Sequence, residues 1–181
     1  MNYELPTTVE IGGKDYKIRS DYRAILDILE ALGDPALEDG DKIACILTIF
    51  YPELPPMDNY EEAVKQCFRF INMNEDEPNK QAPKLMDWSQ DILHIIPPIN
   101  RVLGKEIRSL DYLHWWTFLA AYYEMGECLF SQIVSIRSKK IKGQQLEKWE
   151  KQWYKEHREL VDFKTNYTDA EKDLLAQWGV K

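Results

Sequence analysis

The sequence predicts a mainly α fold, a helical domain that carries an N-terminal β-hairpin. Apolar residues recur at helical spacing through most of the chain. Glycine is scarce, eight in 181 residues, which disfavours a Gly-rich barrel or sandwich. Near the start, two short runs of alternating polarity flank Gly12-Gly13, a pair that supplies the positive φ of a type I′ hairpin turn.

Each element follows from local pattern. The strands are Thr7 to Ile11 and Lys14 to Ile18, with Val9, Ile11, Tyr16 and Ile18 on the buried face. Two strands alone are marginal, so they must pack on helices. Ser20 or Asp21 caps a first helix whose stripe is Ala24, Ile25, Ile28, Leu29 and Leu32, and Gly33 closes it. A second helix follows Asp39-Gly40-Asp41, with Ile43, Ile46, Leu47 and Phe50 inward, and Pro52, Pro55 and Pro56 end it. Asp58 and Glu61 have capping-box spacing for a third helix through Val64, Phe68 and Ile71.

Residues 74–84 are polar and proline-bearing, which marks a linker. The chain is read as a single domain, 1–181, within which an acidic N-terminal subdomain 1–73 can be set apart from a helical part 85–181. Leu85 to Leu103 is helical in pattern, but Pro97-Pro98 predicts a break or sharp kink. Residues 110–130 then hold seven aromatics, Tyr112, Trp115, Trp116, Phe118, Tyr122, Tyr123 and Phe130, read as one helix of about five turns. Leu129, Ile133, Val134 and Ile136 lead to a basic run and Gly143. Gln144 to Val161 reads as a charged amphipathic helix with a Leu146, Trp149, Trp153, Leu160 stripe. Thr168 and Glu171 have capping-box spacing before a short last helix with Leu174, Leu175 and Trp178.

Composition limits the function. At 44% apolar and 30% charged, the chain fits an ordinary soluble globular protein. Three cysteines without CxxC spacing, Cys45, Cys67 and Cys128, read as small buried hydrophobes in a reducing compartment. The absence of an apolar run of about 18–20 residues predicts no membrane span, and the N-terminus shows no signal-peptide pattern. Residues 1–80 hold 8 Lys/Arg against 17 Asp/Glu, and residues 81–181 hold 15 against 14, within a net charge of −8. Such an acidic balance disfavours non-specific nucleic-acid binding. The asymmetry between the two halves allows neighbouring copies to meet head to tail.

No catalytic pattern emerges. The GxSxG, GxxxxGK[ST] and GxGxxG signatures are all missing. His94, His114 and His157 lie on separate segments without metal-ligand spacing, so no metal and no cofactor are expected. His114 reads as a packing or capping residue. Asp87 and Asp91 share a helix face, as a general acid/base pair would, but an acidic first turn facing the helix dipole explains them more simply. Arg137, Lys139, Lys140 and Lys142 form a basic stretch before a helix with two tryptophans, the materials of a nucleic-acid groove. The glutamates interspersed in that helix favour a solvated charged face instead. Trp115 and Trp116 diverge by about 100° on a helix, so one anchors the core while the other lies at an edge or interface. Core packing alone, or core plus interface, both remain open for Trp115, Trp116 and Phe118.

The segments Leu113-His114-Trp115-Trp116-Thr117-Phe118, Phe130 to Arg137, and Trp149 to Val161 resemble a family encoded by siphophages and prophages of Gram-positive bacteria, the tail assembly chaperones. The upstream Asp87-Trp88 and Asp91-Ile92 stretch and the opening hairpin are also similar. The likeness is strongest over residues 85–161. One departure is Pro97-Pro98, where members commonly keep an uninterrupted helix. The resemblance implies a non-enzymatic protein of the host cytoplasm, absent from the mature virion, that coats the tape measure protein and self-associates. Trp115, Trp116, Phe118, Trp149 and Trp153 are the candidate protein-binding residues. The rival readings are a nucleic-acid-binding packaging or regulatory factor using residues 137–142, and a hydrolase using Asp87 and Asp91.

Overall fold

A computed structural model describes residues 4–74 and 83–164 of the chain. Strands β1 (Thr8–Ile11) and β2 (Lys14–Lys17) form an antiparallel hairpin with Val9 opposite Tyr16. Gly12 and Gly13 take φ of 57° and 76°, the left-handed pair that a type I′ turn requires. The tip is docked, because the Gly12 N–H donates to Glu62 and a Cβ at Gly12 would meet Asn59 Nδ2 at 2.8 Å. Ile11 and Ile18 are buried, and Val9 and Tyr16 pack against the same core half-buried.

Helix α1 (Tyr22–Gly33) is capped by Asp21, whose carboxylate accepts the Arg23 N–H. Its Ile25 and Ile28 are fully buried. Helix α2 (Asp39–Phe50) buries Ile46, Leu47 and Phe50 as expected. Ile43 departs from the expectation and is 44% exposed. Periodicity places Ile43 on the inner stripe, but the described residues cover it only in part.

Helix α3 (Tyr60–Ile71) follows a 3₁₀ turn, Met57–Asn59. That turn displaces Asp58 from the cap position, so the expected capping box does not form; Glu61 pairs with Lys65 at 2.6 Å instead.

Helix α4 (Trp88–Leu103) corrects a second expectation, because it runs unbroken through Pro97 and Pro98. The two prolines remove the N–H groups that would reach the Leu93 and His94 carbonyls. Leu93 and Pro97 are exposed, so water can satisfy that side of the helix, while Pro98 fills the core on the other. Asp87 accepts the Gln90 N–H and Asp91 accepts the Asp87 N–H, a reciprocal cap at the start. Gly104, at φ 69°, ends the helix.

Residues 110–130 are not one helix. Helix α5 is only Trp115–Tyr123, and helix α6 (Leu129–Ile141) starts after a turn in which Gly126 takes φ 62°. His114 is the N-cap of α5, its Nδ1 accepting the Trp116 N–H at 3.0 Å. The expected helix from Gln144 to Val161 likewise divides into α7 (Lys148–Glu156) and α8 (Arg158–Val161). Glu147 and Glu150 form a capping box that starts α7 late, and His157, at φ −126°, ends it. The expected tail helix, residues 168–178, lies outside the described residues, as does most of the expected linker.

The starts of α1 and α5 are tied together. Asp21 and His114 form an isolated antiparallel bridge, in which the Tyr22 N–H donates to Leu113 O at 2.9 Å and the Trp115 N–H to Ser20 O at 2.7 Å. One continuous buried cluster extends from Ile11 to Phe130. Within it Tyr22 stacks on Phe118 at 4.8 Å and Phe118 on Trp115 at 5.5 Å.

His114 gives the fold a pH dependence. Burial pushes its pKa below the ordinary value of 6.5, only partly offset by the Pro6 carbonyl that Nε2 meets at 2.9 Å. A protonated ring would also lose Nδ1 as acceptor for the cap. The folded pKa is lower than the unfolded one, so this stability is complete above about pH 6.5 and is lost as pH falls through the folded value. Urea unfolding between pH 7 and 5 should show that fall, and His114→Asn, which retains a cap acceptor, should flatten it.

Candidate protein-interaction surface

The aromatic run resolves into two kinds of residue. Trp115 is 1% exposed and Phe118 is fully buried, so both belong to the core of the chain itself. Trp116 is half-buried. Both indoles reach the same place: Trp115 Nε1–H donates to Ile71 O at 2.9 Å and Trp116 Nε1–H to Phe70 O at 2.8 Å. These carbonyls lie at the end of α3, where the last backbone acceptors lack partners within the helix; Phe70 O also accepts the Met73 N–H at 3.1 Å. Trp116 also stacks on Phe70 at 5.7 Å. The tryptophan pair therefore couples α5 to the end of α3, and only the outer part of Trp116 faces solvent.

The basic stretch is divided. Arg137, expected to be solvated, is 3% exposed. Its Nη1 and Nη2 donate to the two oxygens of Asp91 at 2.6 and 3.0 Å. The remaining donors reach the carbonyls of Val161 at 2.6 Å, Leu160 at 2.9 Å and Leu85 at 3.2 Å. The guanidinium also lies 4.2 Å from the Phe163 ring centre. Ile133 and Ile136 occupy the same buried stripe of α6, so position 137 falls inward by helical period.

The same finding corrects the reading of Asp91. It is neither half of a solvent-facing carboxylate pair nor merely an acidic first turn, but the fully buried partner of Arg137. The spacing Asp91, Ile95, Ile99 marked it as inward, a signal that attention to the acid pair Asp87 and Asp91 obscured. Asp87 instead meets Lys84 at 2.7 Å.

Lys139 pairs with Glu150 at 2.6 Å, and Lys140 donates to Asp162 and to the Tyr154 hydroxyl. Burial alone would raise the Asp162 pKa, but bonds from Lys140, Arg158 and Tyr154 outweigh it and hold the carboxyl at about 2. Of the four cations, only Lys142 has no acidic partner among the described residues. No continuous cationic strip results.

Trp149 and Trp153 behave differently again. Trp153 is half-buried and stacks on the His157 ring at 4.5 Å. Trp149 is 59% exposed, with half-buried Leu146 at the entry to its helix. Other large apolar side chains exposed in the helical half include Leu93 on α4, Tyr123 on α5, and Leu129 and Ile141 on α6. An exposed indole beside lysines offers apolar area with a charged rim, the make-up of a protein contact rather than of a reaction centre. Sequence reasoning named Trp149 and Trp153 together as binding residues on one apolar stripe, without separating the exposed ring from the half-buried one, and it did not single out Leu93, Tyr123 or Ile141 as exposed.

Among the described residues, no group of three or more His, Cys, Asp or Glu is arranged to hold a metal ion. Nor is any described helix long and apolar enough to cross a membrane. Cys67 is buried, and burial pushes its thiol up to about 12, which makes it a poor nucleophile.

The family model described as Bacteriophage Gp15 protein matches residues 1–97. That span holds the hairpin, α1 to α3 and the first part of α4, whereas the resemblance seen in the sequence was strongest further on. No curated protein and no solved structure matches. The match covers more than half of the 181 residues: the chain belongs to the bacteriophage Gp15 protein family.

Proposed function

We propose that this phage protein is a tail assembly chaperone, a non-catalytic protein that binds the tape measure protein and keeps it soluble while the tail is built. Its place of action would be the host cytoplasm, and it would not remain in the finished virion. The resemblance of residues 113–118, 130–137 and 149–161 to such chaperones supports this, together with membership in a bacteriophage family. The observation that carries it is the exposure of Trp149 on α7. A large aromatic held at the surface costs solubility unless a partner covers it.

Trp149 would insert against the apolar stripe of the long tape measure helix, with Leu146 and Trp153 extending the contact. Each such contact is weak. Repeated over many copies along one helix, with neighbouring copies touching, they add up to high avidity. The pairing of Arg137, Lys139 and Lys140 with Asp91, Glu150 and Asp162 weakens the case for a nucleic-acid-binding role.

Co-expression tests the reading. The tape measure protein should be soluble with the wild-type chain, and its soluble share should fall with Trp149→Ala, itself normally folded. A tape measure protein equally insoluble with and without the wild-type chain would refute it.

A further inference from the structure

Among the described residues, nothing pairs with the outer edge of the hairpin. In an antiparallel pair, alternate residues turn their backbone groups toward the partner strand and away from it. The Ile18 N–H donates to Thr7 O at 3.0 Å, so Thr7, Val9 and Ile11 face β2. Thr8 and Glu10 therefore turn their N–H and C=O groups outward. Neither finds a hydrogen-bond partner there among the described residues.

This edge is framed at both ends. Pro6 O is taken by His114 Nε2 at 2.9 Å, and the Gly12 N–H is taken by Glu62 of α3 at 3.1 Å. Between these fixed points lies a groove of about 510 Å³, walled by Thr8 and Glu10 on one side and by Gln66 and Arg69 of α3 on the other. Val9 and Phe70 line it as well. The volume falls within the range of about 300–1,000 Å³ found for ligand pockets. An open strand edge facing a helix across a groove is the arrangement in which an extended peptide is added as a further strand.

We propose that this groove binds one extended segment of a partner polypeptide by strand addition to β1. The four free main-chain groups of Thr8 and Glu10 specify a peptide backbone as the ligand. Gln66 and Arg69 of α3 border the edge, so the added segment would lie alongside them. Alternate side chains of the segment would meet Val9 and Phe70, which favours β-branched residues there. Arg69 has no acidic partner among the described residues, so an acidic residue in the segment would pair with it if placed beside Arg69 and away from Glu10 and Glu62, which line the same groove. The hairpin edge and α7 are separate surfaces, so failure at one leaves the other standing.

A random heptapeptide library selected on the full-length chain supplies the test peptide, and calorimetry measures its binding. Binding should protect the Thr8 and Glu10 amides from hydrogen exchange. N-methylation of the peptide should weaken binding about tenfold or more at every second residue, and little at the residues between. Thr8→Pro removes an N–H that the hairpin does not use, so the fold should survive while affinity falls about tenfold or more. Thr8→Val, which keeps the N–H, should bind as wild type. Selection of no binding peptide would overturn the proposal, as would undiminished binding by folded Thr8→Pro or N-methylation effects without a two-residue period.

Discussion

Arg137→Ala should destabilise the protein by about 3–5 kcal/mol, the range for removing one partner of a buried ion pair. For a chain of this size, that lowers the melting temperature by on the order of 10 °C. Loss of the guanidinium leaves the Asp91 carboxylate fully buried without its counter-charge, and it also orphans the carbonyls of Leu85, Leu160 and Val161. These acceptors belong to three separate stretches, so the segment before α4, the start of α4 and the end of α8 should all loosen. The double variant Asp91→Leu, Arg137→Leu separates charge from packing. It should recover a large part of the loss, because apolar residues of similar size often replace a buried pair at little cost. Denaturant unfolding of the three proteins checks this, and near-wild-type stability of Arg137→Ala would mean that Asp91 is readily hydrated.

Trp115→Ala should cost about 3–5 kcal/mol as a large core truncation. Trp116→Ala should cost about 1–2 kcal/mol, since its ring is half-buried but its indole N–H still closes α3 at Phe70 O. Phenylalanine at either position removes the indole N–H while retaining an aromatic ring; Ile71 O then loses the Trp115 donor, whereas Phe70 O keeps the Met73 N–H at 3.1 Å. Trp115→Phe should therefore lose about 1–2 kcal/mol and Trp116→Phe less. Equal large losses for Trp115→Ala and Trp116→Ala would contradict the division between core and edge.

The elements that read most clearly in the sequence were those fixed by local rules. Gly12-Gly13, the Asp21 cap and the stripe of α1 depend on spacing and turn chemistry within a few residues. The errors arose where a local rule met a tertiary one. Pro97-Pro98 should break a helix in isolation, but packing on one face and exposure on the other keep α4 whole. Aromatic density alone suggested one long helix at 110–130, whereas His114 and Gly126 cut it on either side. Asp91 and Arg137 stand 46 residues apart, so no spacing rule joins them. Each nevertheless lay on the inward stripe of its own helix, and a charged residue there calls for a partner on another element. That Trp149 is exposed while Trp153 of the same stripe is half-buried was not legible, because periodicity defines a face without saying how much of it is covered.

Titration of the purified chain into a soluble helical fragment of the tape measure protein tests the central claim most directly. The account predicts saturation at several chains per fragment. It also predicts that Trp149→Ala weakens each contact by about 2 kcal/mol, roughly 30-fold, with no change in its melting temperature. Absence of binding to the fragment, or unchanged binding by Trp149→Ala, would contradict it.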